Sequence, residues 1–202
     1  MKIRSIRPDD HDRVGALTLA AYDAVGPFDE PYRRFLRDPD QWVSGATSVF
    51  VATDDDDVPV GSVAFVLPGD REFEGTMPPA GDAGFRFLAV DVAAQGSGAG
   101  AALVQQCIEA AREHECRRIA IHSMAFMTRA HQLYLRRGFE RRPDLDVTFP
   151  SGIGIAFTLD LADDAASAFP APGPVLDPPP WFGDAWGLDV ERPDDTATAT
   201  PC

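Results

Sequence analysis

A glycine-rich segment, Gln95-Gly-Ser-Gly-Ala-Gly100, combines residue types at a spacing that suits the binding of phosphate. Glycine has no Cβ, so its backbone can come close to a ligand. An apolar stretch typical of a strand precedes the segment, and a helix is predicted to follow over residues 98–114. The free N–H groups and the positive dipole end of such a helix attract anions. We therefore predict a phosphate site made of backbone, the alternative being a turn that only tightens a crossover connection.

Two familiar phosphate motifs do not match this segment. Its glycines are spaced GxGxG rather than GxGxxG, and they do not follow the first strand of a repeating α/β unit, which argues against a dinucleotide fingerprint. No Gly-Lys-Ser/Thr follows, so the segment is not a P-loop either.

Hydrophobic periodicity predicts strands and helices around this segment. A hairpin is predicted from two runs rich in β-branched and aromatic residues, 48–53 and 60–66, on either side of Asp54-Asp-Asp-Asp57. Four consecutive acids can hold a metal ion, but at a hairpin tip a solvated turn is favoured. The other predicted elements are strands at 2–7, 85–90, 118–124, 147–149 and 154–159, helices after Pro8-Asp9 and at 31–37, a Gly/Pro-rich connection at 68–83, and a helix with Thr128 as N-cap and Gly138 at its end.

The composition is that of a globular chain with a strong excess of acid. Its 202 residues include 32 Asp and Glu against 18 Lys and Arg, a formal charge of −14. This balance argues against a nucleic-acid partner, which requires a positive face, and it either keeps the protein in solution or attracts a cationic substrate. No apolar run approaches the roughly 20 residues of a membrane span, and no signal peptide is evident. With three cysteines at no metal-like spacing, we expect a cytoplasmic protein without a disulfide framework.

Two stretches together resemble the GNAT superfamily of N-acetyltransferases. The first follows an apolar strand and has the pattern (Gln or Arg)-x-x-Gly-x-(Gly or Ala), in which x is any residue. These places are taken by Gln95, Gly98 and Gly100. The second, residues 130–139, resembles the penultimate helix of the family, with Tyr134 four residues before a Gly-Phe pair. Both occur in the expected order, and the resemblance extends over about residues 2–160.

The resemblance implies an α/β (α+β) fold, in which a mixed, mostly antiparallel sheet is flanked by helices and splayed between two parallel central strands, 85–90 and 118–124. Acyl-CoA would lie in that opening, its pantetheine arm paired with strand backbone and its pyrophosphate accepting hydrogen bonds from the glycine-rich segment. The implied cofactor-binding residues are Leu88, Ala89, Val90, Gln95, Gly96, Ser97, Gly98, Ala99, Gly100 and Ala101. The domain would occupy residues 1–165, and a proline-rich extension residues 166–202.

The implied reaction is direct transfer of the acetyl group of acetyl-CoA to a primary amine of a small molecule or peptide, without a metal. Tyr134 matches the family's general acid, with packing on the sheet as the alternative. The glutamate that many relatives use as general base corresponds to Gly84, which has no side chain, so a base would act through water. The candidates for this base are His122, Asp82, Glu74 and Glu30. Only His122 lies on a predicted strand, where a hydrogen-bonded structural histidine is the alternative.

Other details leave alternatives open. Met127 replaces an asparagine that contacts the CoA arm in many members, and Thr128 could substitute for it. Met127 and Gly84 together keep a non-catalytic CoA-binding domain as an alternative. Transfer of a longer acyl group and transfer to a hydroxyl are further alternatives. The residues expected to surround the acceptor are Phe28, Asp29, Tyr32, the loop 69–83, Trp181 and Trp186. No nucleic acid or membrane is expected as a partner, and a homodimer stays open because members of the family often dimerise.

Overall fold

The computed structural model describes residues 1–74, 82–149 and 152–161. Two sets of residues with predicted roles lie outside the described ones. They are the proline-rich extension, with Trp181 and Trp186, and residues 75–81 of the predicted loop. The side chain of Glu74 also lies outside them, so its predicted role stays a prediction.

The first sheet is formed by β1 (Lys2–Ser5), β2 (Ser48–Thr53), β3 (Pro59–Val66) and β4 (Gly84–Val90). These strands are antiparallel and lie in the order β1-β2-β3-β4. The predicted hairpin consists of β2 and β3. In the exposed turn between them, the Asp54 carboxylate accepts the N–H groups of Asp56 (3.1 Å) and Val58 (2.9 Å). The run of acids is therefore a turn stabilised by its own side chain.

The second sheet is formed by β5 (Arg118–Met124), β6 (Glu140–Arg141), β7 (Val147–Phe149) and β8 (Gly152–Asp160). Strand β8 lies between β5 and β6 and also pairs with β7, all antiparallel. The bounds of β5 agree with the predicted strand at 118–124, whereas β6 is too short for any periodicity to indicate it.

Helices pack on both faces of the first sheet. They are α1 (His11–Asp23), α2 (Glu30–Arg37), the four-residue α3 (Arg71–Glu74), α4 (Ala99–Glu113) and α5 (Thr128–Arg136). On one face, α1 and α2 bury Val14 and Leu36 against Trp42 and Phe87. The core on the other face contains Leu103, Val104 and Ile108 of α4, Phe65, Phe85, Tyr134 and Phe157. Side chains of β4 therefore pack into both cores, and the strand lies between the two helical layers.

The predicted N-cap of α5 is wrong by one residue. Thr128 is the first helical residue, and Met127 occupies the N-cap position without a side-chain capping bond. The turn after β5 accounts for this, because the N–H groups of Met127 and Thr128 donate to the carbonyls of Met124 and Phe126 (2.9 Å each). The predicted end is confirmed, since Gly138 follows the helix with a φ of 87°, which glycine adopts without strain.

Arg4 of β1 connects the hairpin tip to the beginning of α1. Its guanidinium donates to Asp10 (2.6 Å) and to Asp57 (2.9 Å), and Arg7 also donates to Asp57 (2.8 Å). The two guanidinium groups lower the pKa of Asp57 from 3.8 to about 2. These ion pairs thus join the hairpin tip to the beginning of α1.

Candidate active site

Strands β4 and β5 run parallel, and the bonds that the structure describes between them lie where the two strands begin. The N–H of Ala83, just before β4, donates to the carbonyl of Arg118 (3.1 Å), and the N–H of Ala120 donates to the carbonyl of Ala83 (2.9 Å). Within the described ranges, Ala83 and Ile119 form the one parallel bridge between these strands. The predicted splay is confirmed, and it leaves an opening toward the carboxyl ends of both strands.

A β-bulge shapes the edge of β4 that faces this opening. Phe87 and Leu88 together stand opposite one residue of β3, and Phe87 has a φ of 54°. The N–H of Asp91 donates to a carbonyl of β3 (2.9 Å). Backbone groups alternate sides along a strand, so those of Leu88 and Val90 point to the opening and those of Ala89 to β3. The edge can therefore pair with a ligand at Leu88 and Val90, but not at Ala89.

The glycine-rich segment lies at the N-terminus of α4, beyond the open edge of β4. Gly96 and Gly98 have φ angles of 88° and 91°, a left-handed conformation that favours glycine. A Cβ at either position would meet no atom within 4 Å, so the space in front of the segment is open. In the described part of the chain, no acceptor is found for the N–H groups of Gly96, Gly98, Gly100 and Ala101. Free donors at the positive end of a 15-residue helix fit a pyrophosphate group.

Three other N–H groups of the segment already have acceptors. Those of Gln95 and Ser97 donate to carbonyls of the preceding turn (3.4 and 3.2 Å), and that of Ala99 donates to the Ser97 hydroxyl (3.4 Å). The glycine N–H groups are thus the better donors for phosphate.

An arginine that sequence reasoning missed borders the segment. Nη1 of Arg129, in the first turn of α5, donates to Oε1 of Gln95 (2.8 Å). A cation in the first turn of a helix opposes the helix dipole, which is a signal that an anion could be nearby. Arg129 adds positive charge beside the free N–H groups.

Tyr134 of α5 lies inside the core and is 5% exposed. Its ring packs edge-on against Phe85 of β4 and Phe157 of β8, with centroids 5.7 and 5.6 Å apart. Burial raises the pKa of the Tyr134 hydroxyl above its usual value of 10, and a hydrogen bond with Ser123 of β5 acts in the opposite direction. The hydroxyl therefore stays protonated at neutral pH, as a proton donor must.

Two of the four predicted proton acceptors, His122 and Asp82, lie apart from this tyrosine. Successive strand residues face opposite sides, so His122 faces away from Ser123. Nε2 of His122 lies 2.7 Å from the carbonyl oxygen of Leu145, and it carries the proton because a carbonyl only accepts. Asp82 is exposed at the joined end of the strands, where its carboxylate accepts the N–H of Arg117 (2.8 Å). The structure does not bring these two side chains together at the opening.

Aromatic rings connect the α1–α2 side of β4 with the chain after β5. Phe28, in the loop between α1 and α2, has its centroid 5.3 Å from Tyr22, 5.4 Å from Tyr32 and 5.5 Å from Phe126. We call these four residues the aromatic wall. Phe28 and Tyr32 were predicted to surround the acceptor, whereas Asp29 caps α2 by accepting the N–H of Tyr32 (2.9 Å). Tyr22 and Phe126 carry no signal in the sequence that distinguishes them from core residues.

A buried ion pair lies on the same side of β4. Nη1 of Arg86 donates to Oε2 of Glu72 (2.8 Å) and to the carbonyl of Glu72 (3.2 Å). The guanidinium carbon of Arg86 lies 4.5 Å from the centroid of the Phe87 ring. The side chains of Arg86 and Glu72 are 10% and 5% exposed. Sequence reasoning missed this pair, although an arginine inside an otherwise apolar predicted strand was a signal.

Comparison with known proteins agrees with this architecture. The family described as "Acetyltransferase (GNAT) family" matches residues 16–139, more than half of the chain. An acetyltransferase of the GNAT family from Staphylococcus aureus Mu50 is similar in structure, with 14% identity, a TM-score of 0.59, and coverage of 80% of this chain and 99% of that one. A GCN5-related N-acetyltransferase from Kribbella flavida shares 22% identity, with a TM-score of 0.59 over 79% of this chain and 97% of that one.

The third structure is from the NatC complex bound to Gag peptide and CoA, with 20% identity and a TM-score of 0.53 over 80% of this chain and 100% of that one. At these identities the structural likeness establishes the fold. No curated protein is similar enough in sequence to count as a relative.

The splayed sheet and the family match define an acyltransferase, a class whose co-substrate is an acyl-CoA. The chain belongs to the GNAT family of acetyltransferases. Among the residues that the structure describes, no helix is both long enough and apolar enough to cross a membrane. Over the same residues, no group of three or more His, Cys, Asp and Glu side chains is arranged to hold a metal ion.

Proposed function

We propose that this chain transfers the acetyl group of acetyl-CoA directly to a primary amine of a small molecule or a peptide. The observation that carries the proposal is a row of N–H groups at Gly96, Gly98, Gly100 and Ala101, which have no acceptor in the described part of the chain. This row follows the edge of β4 that no described strand pairs with beyond Ala83. An unpaired edge suits the amides of pantetheine, and a row of free amides at a helix N-terminus suits a pyrophosphate.

In this proposal acetyl-CoA fills the opening between β4 and β5. The pantetheine amides pair with the backbone of Leu88 and Val90, as an added strand would. The pyrophosphate accepts hydrogen bonds from the glycine-rich segment, and Arg129 supplies a charge-assisted contact. The thioester then lies near the bulge, with Tyr134 on the helix that follows β5.

The reaction requires a neutral amine and a leaving thiol. An aliphatic amine has a pKa of about 10.4, so at neutral pH its ammonium form must lose a proton before the nitrogen attacks the thioester carbonyl. The thiol has a pKa of about 8.5, so its thiolate is a fair leaving group that one proton neutralises. The neutral hydroxyl of Tyr134 is the proposed donor of that proton.

A non-catalytic CoA-binding role is the second candidate. It is favoured by Gly84, which offers no carboxylate on β4, and by Met127, whose sulfur accepts the Ser123 hydroxyl (3.6 Å) and cannot donate as an amide would. Both candidates predict CoA binding, and turnover separates them.

The test is incubation of the purified chain with acetyl-CoA and a panel of primary amines, with free CoA thiol measured against time. The proposal predicts amine-dependent thiol release and one acetamide, identified by mass spectrometry, for each thiol released. Parallel assays with longer acyl-CoA thioesters and with alcohols test acyl length and the attacking atom. Binding of acetyl-CoA without amine-dependent release for any amine would contradict the proposal and support the non-catalytic role.

A further inference from the structure

The buried pair of Glu72 and Arg86 lies on the α1–α2 face of β4. Along β4, Phe85 belongs to the core that contains Tyr134, whereas Phe87 belongs to the core under α1 and α2. Because side chains alternate before the bulge, Gly84 and Arg86 both face α1 and α2. Arg86 thereby holds the carboxylate of Glu72 over the face where Gly84 has no side chain to offer.

Two tyrosines, whose rings are aromatic and whose hydroxyl groups are polar, lie near this pair. The charge of Arg86 acts to lower the pKa of Tyr22 of α1 and of Tyr32 of α2, against the larger effect of burial, and the charge of Glu72 acts to raise that of Tyr32. The hydroxyl groups of Tyr22 and Tyr32 share a hydrogen bond. The ion pair is therefore near two members of the aromatic wall, on the α1–α2 side of β4.

Stability alone is a poor reason for such a pair. Removing two charges from water costs several kcal/mol per ion, and the attraction between them often does no more than offset that cost. Buried carboxylates with a defined charge partner in a cleft are instead frequent at functional sites. The pair is thus a candidate for a chemical role.

We propose that Glu72 accepts the proton of the acceptor's ammonium group, the task for which Gly84 has no side chain, and that Arg86 positions the Glu72 carboxylate. This inference rests on the proposed acetyl transfer to an amine. It assigns a base that comes from α3 rather than from β4.

For an acceptor R–NH₃⁺, each proton and each electron pair moved in the transfer has a defined donor and acceptor. The ammonium gives one proton to the Glu72 carboxylate, and the freed nitrogen electron pair forms the C–N bond at the thioester carbonyl. The C–S bond breaks with its electron pair on sulfur, and the thiolate takes a proton from Tyr134. The second proton of the nitrogen returns to Tyr134 through solvent, and Glu72 releases its proton to solvent. The products are the acetamide, CoA thiol and one proton.

The charge environment suits this role. Burial raises the pKa of Glu72 above its usual value of 4.5, while the charges of Arg86 and of Arg71 on the same helix lower it. Tyr22 of α1 and Tyr32 of α2 are neutral at pH 7, because burial raises the pKa of Tyr22 well above 10 and that of Tyr32 to about 12. A carboxylate whose pKa lies closer to neutrality is the stronger base.

The test compares Glu72→Gln with the wild type across pH, using an amine that the wild type acetylates. We expect kcat at pH 7 to fall about 100-fold, with acetyl-CoA affinity unchanged. The deficit should shrink as pH rises toward about 10, where the amine loses its proton unaided. Arg86→Met should move the acidic limb of kcat/KM to higher pH, because Arg86 lowers the pKa of Glu72. Glu113→Gln, at an exposed position of α4, is the matched control and should behave as wild type.

The double variant Glu72→Gln/Arg86→Met guards against a simple folding defect, because it leaves no unpaired buried charge. We expect it to fold and to stay as inactive as Glu72→Gln. Wild-type kcat in Glu72→Gln, a deficit that is equal at every pH, or recovered activity in the double variant would overturn the role of Glu72. Absence of turnover by the wild type with every amine is a different outcome, and it would overturn the proposed function as well.

Discussion

Ala83 and Ile119 form a parallel bridge at the beginning of β4 and β5, and no second bridge joins these strands in the described residues. Every strand must place its N–H and C=O groups on a partner or in water. Past the bridge, no strand that the structure describes lies beside this edge of β4. The single bridge is therefore the feature that leaves room for an extended co-substrate between the first sheet and the second.

Substitution of Gly98 should separate backbone strain from ligand contact. Gly98→Ala forces a side chain into a φ of 91°, at a cost of about 1 kcal/mol. Gly69→Ala is a matched control, because Gly69 has a φ of 99° and the same open space within 4 Å. We expect similar losses of stability in thermal unfolding, but weaker acetyl-CoA binding in calorimetry only for Gly98→Ala. Equal CoA affinity in both variants would remove the glycine-rich segment from the site.

Arg129→Gln should weaken acetyl-CoA binding at low salt and reduce the salt dependence of the affinity. The reason is that Arg129 is held beside the segment by its bond to Gln95 (2.8 Å), and a charge–phosphate contact is screened by ions. Arg136→Gln is the control, since Arg136 is exposed at the far end of the same helix. Identical salt slopes for the wild type and both variants would show that Arg129 does not contact the phosphates.

Tyr134→Phe should lower kcat by about 100-fold while leaving acetyl-CoA affinity and thermal stability near the wild-type values. The ring contacts with Phe85 and Phe157 remain, and only the hydroxyl and its bond with Ser123 are lost. Steady-state kinetics with calorimetry as a parallel assay measure both effects. If kcat does not change, the tyrosine is a packing residue.

The elements that position the site were largely predictable because their signals are local. The strand at 118–124 and the glycine-rich segment before α4 are each indicated by residues adjacent in sequence. The left-handed backbone of Gly96 and Gly98 likewise follows from residue type. The family resemblance then supplied the splay, which no local pattern reveals.

The acceptor side was harder to predict because its contacts are not local. Glu72 lies in a stretch that reads as a Gly/Pro-rich connection, and only the folded chain brings it against Arg86. Phe126 and Phe28 meet although nearly half of the chain separates them. His122 and Asp82 satisfied simple criteria for a base, yet the fold gives each of them a backbone partner.

Acid should reveal the role of Asp57 at the sheet edge. Arg4 and Arg7 lower its pKa to about 2 from 3.8 in the unfolded chain, so its ion pairs stabilise the fold above about pH 4 and lose that effect as pH falls through 2. Asp57→Asn should therefore lower the unfolding temperature at pH 6 and do so much less at pH 2, where about half of the Asp57 carboxylates are protonated. Its exposed neighbour provides the control Asp56→Asn, for which we expect no such pH-dependent difference. A difference for Asp57→Asn that is as large at pH 2 as at pH 6 would contradict the electrostatic account.

Residue-resolved amide hydrogen exchange, measured by NMR with and without acetyl-CoA, tests the central claim most directly. The account predicts that acetyl-CoA slows exchange at Gly96, Gly98 and Gly100 and at Leu88 and Val90, whose N–H groups face the opening. The C-terminal turn of α4, about 20 Å along the helix from the glycine-rich segment, should show no change. Protection confined to other regions, or none at saturating acetyl-CoA, would contradict a co-substrate site between β4 and β5.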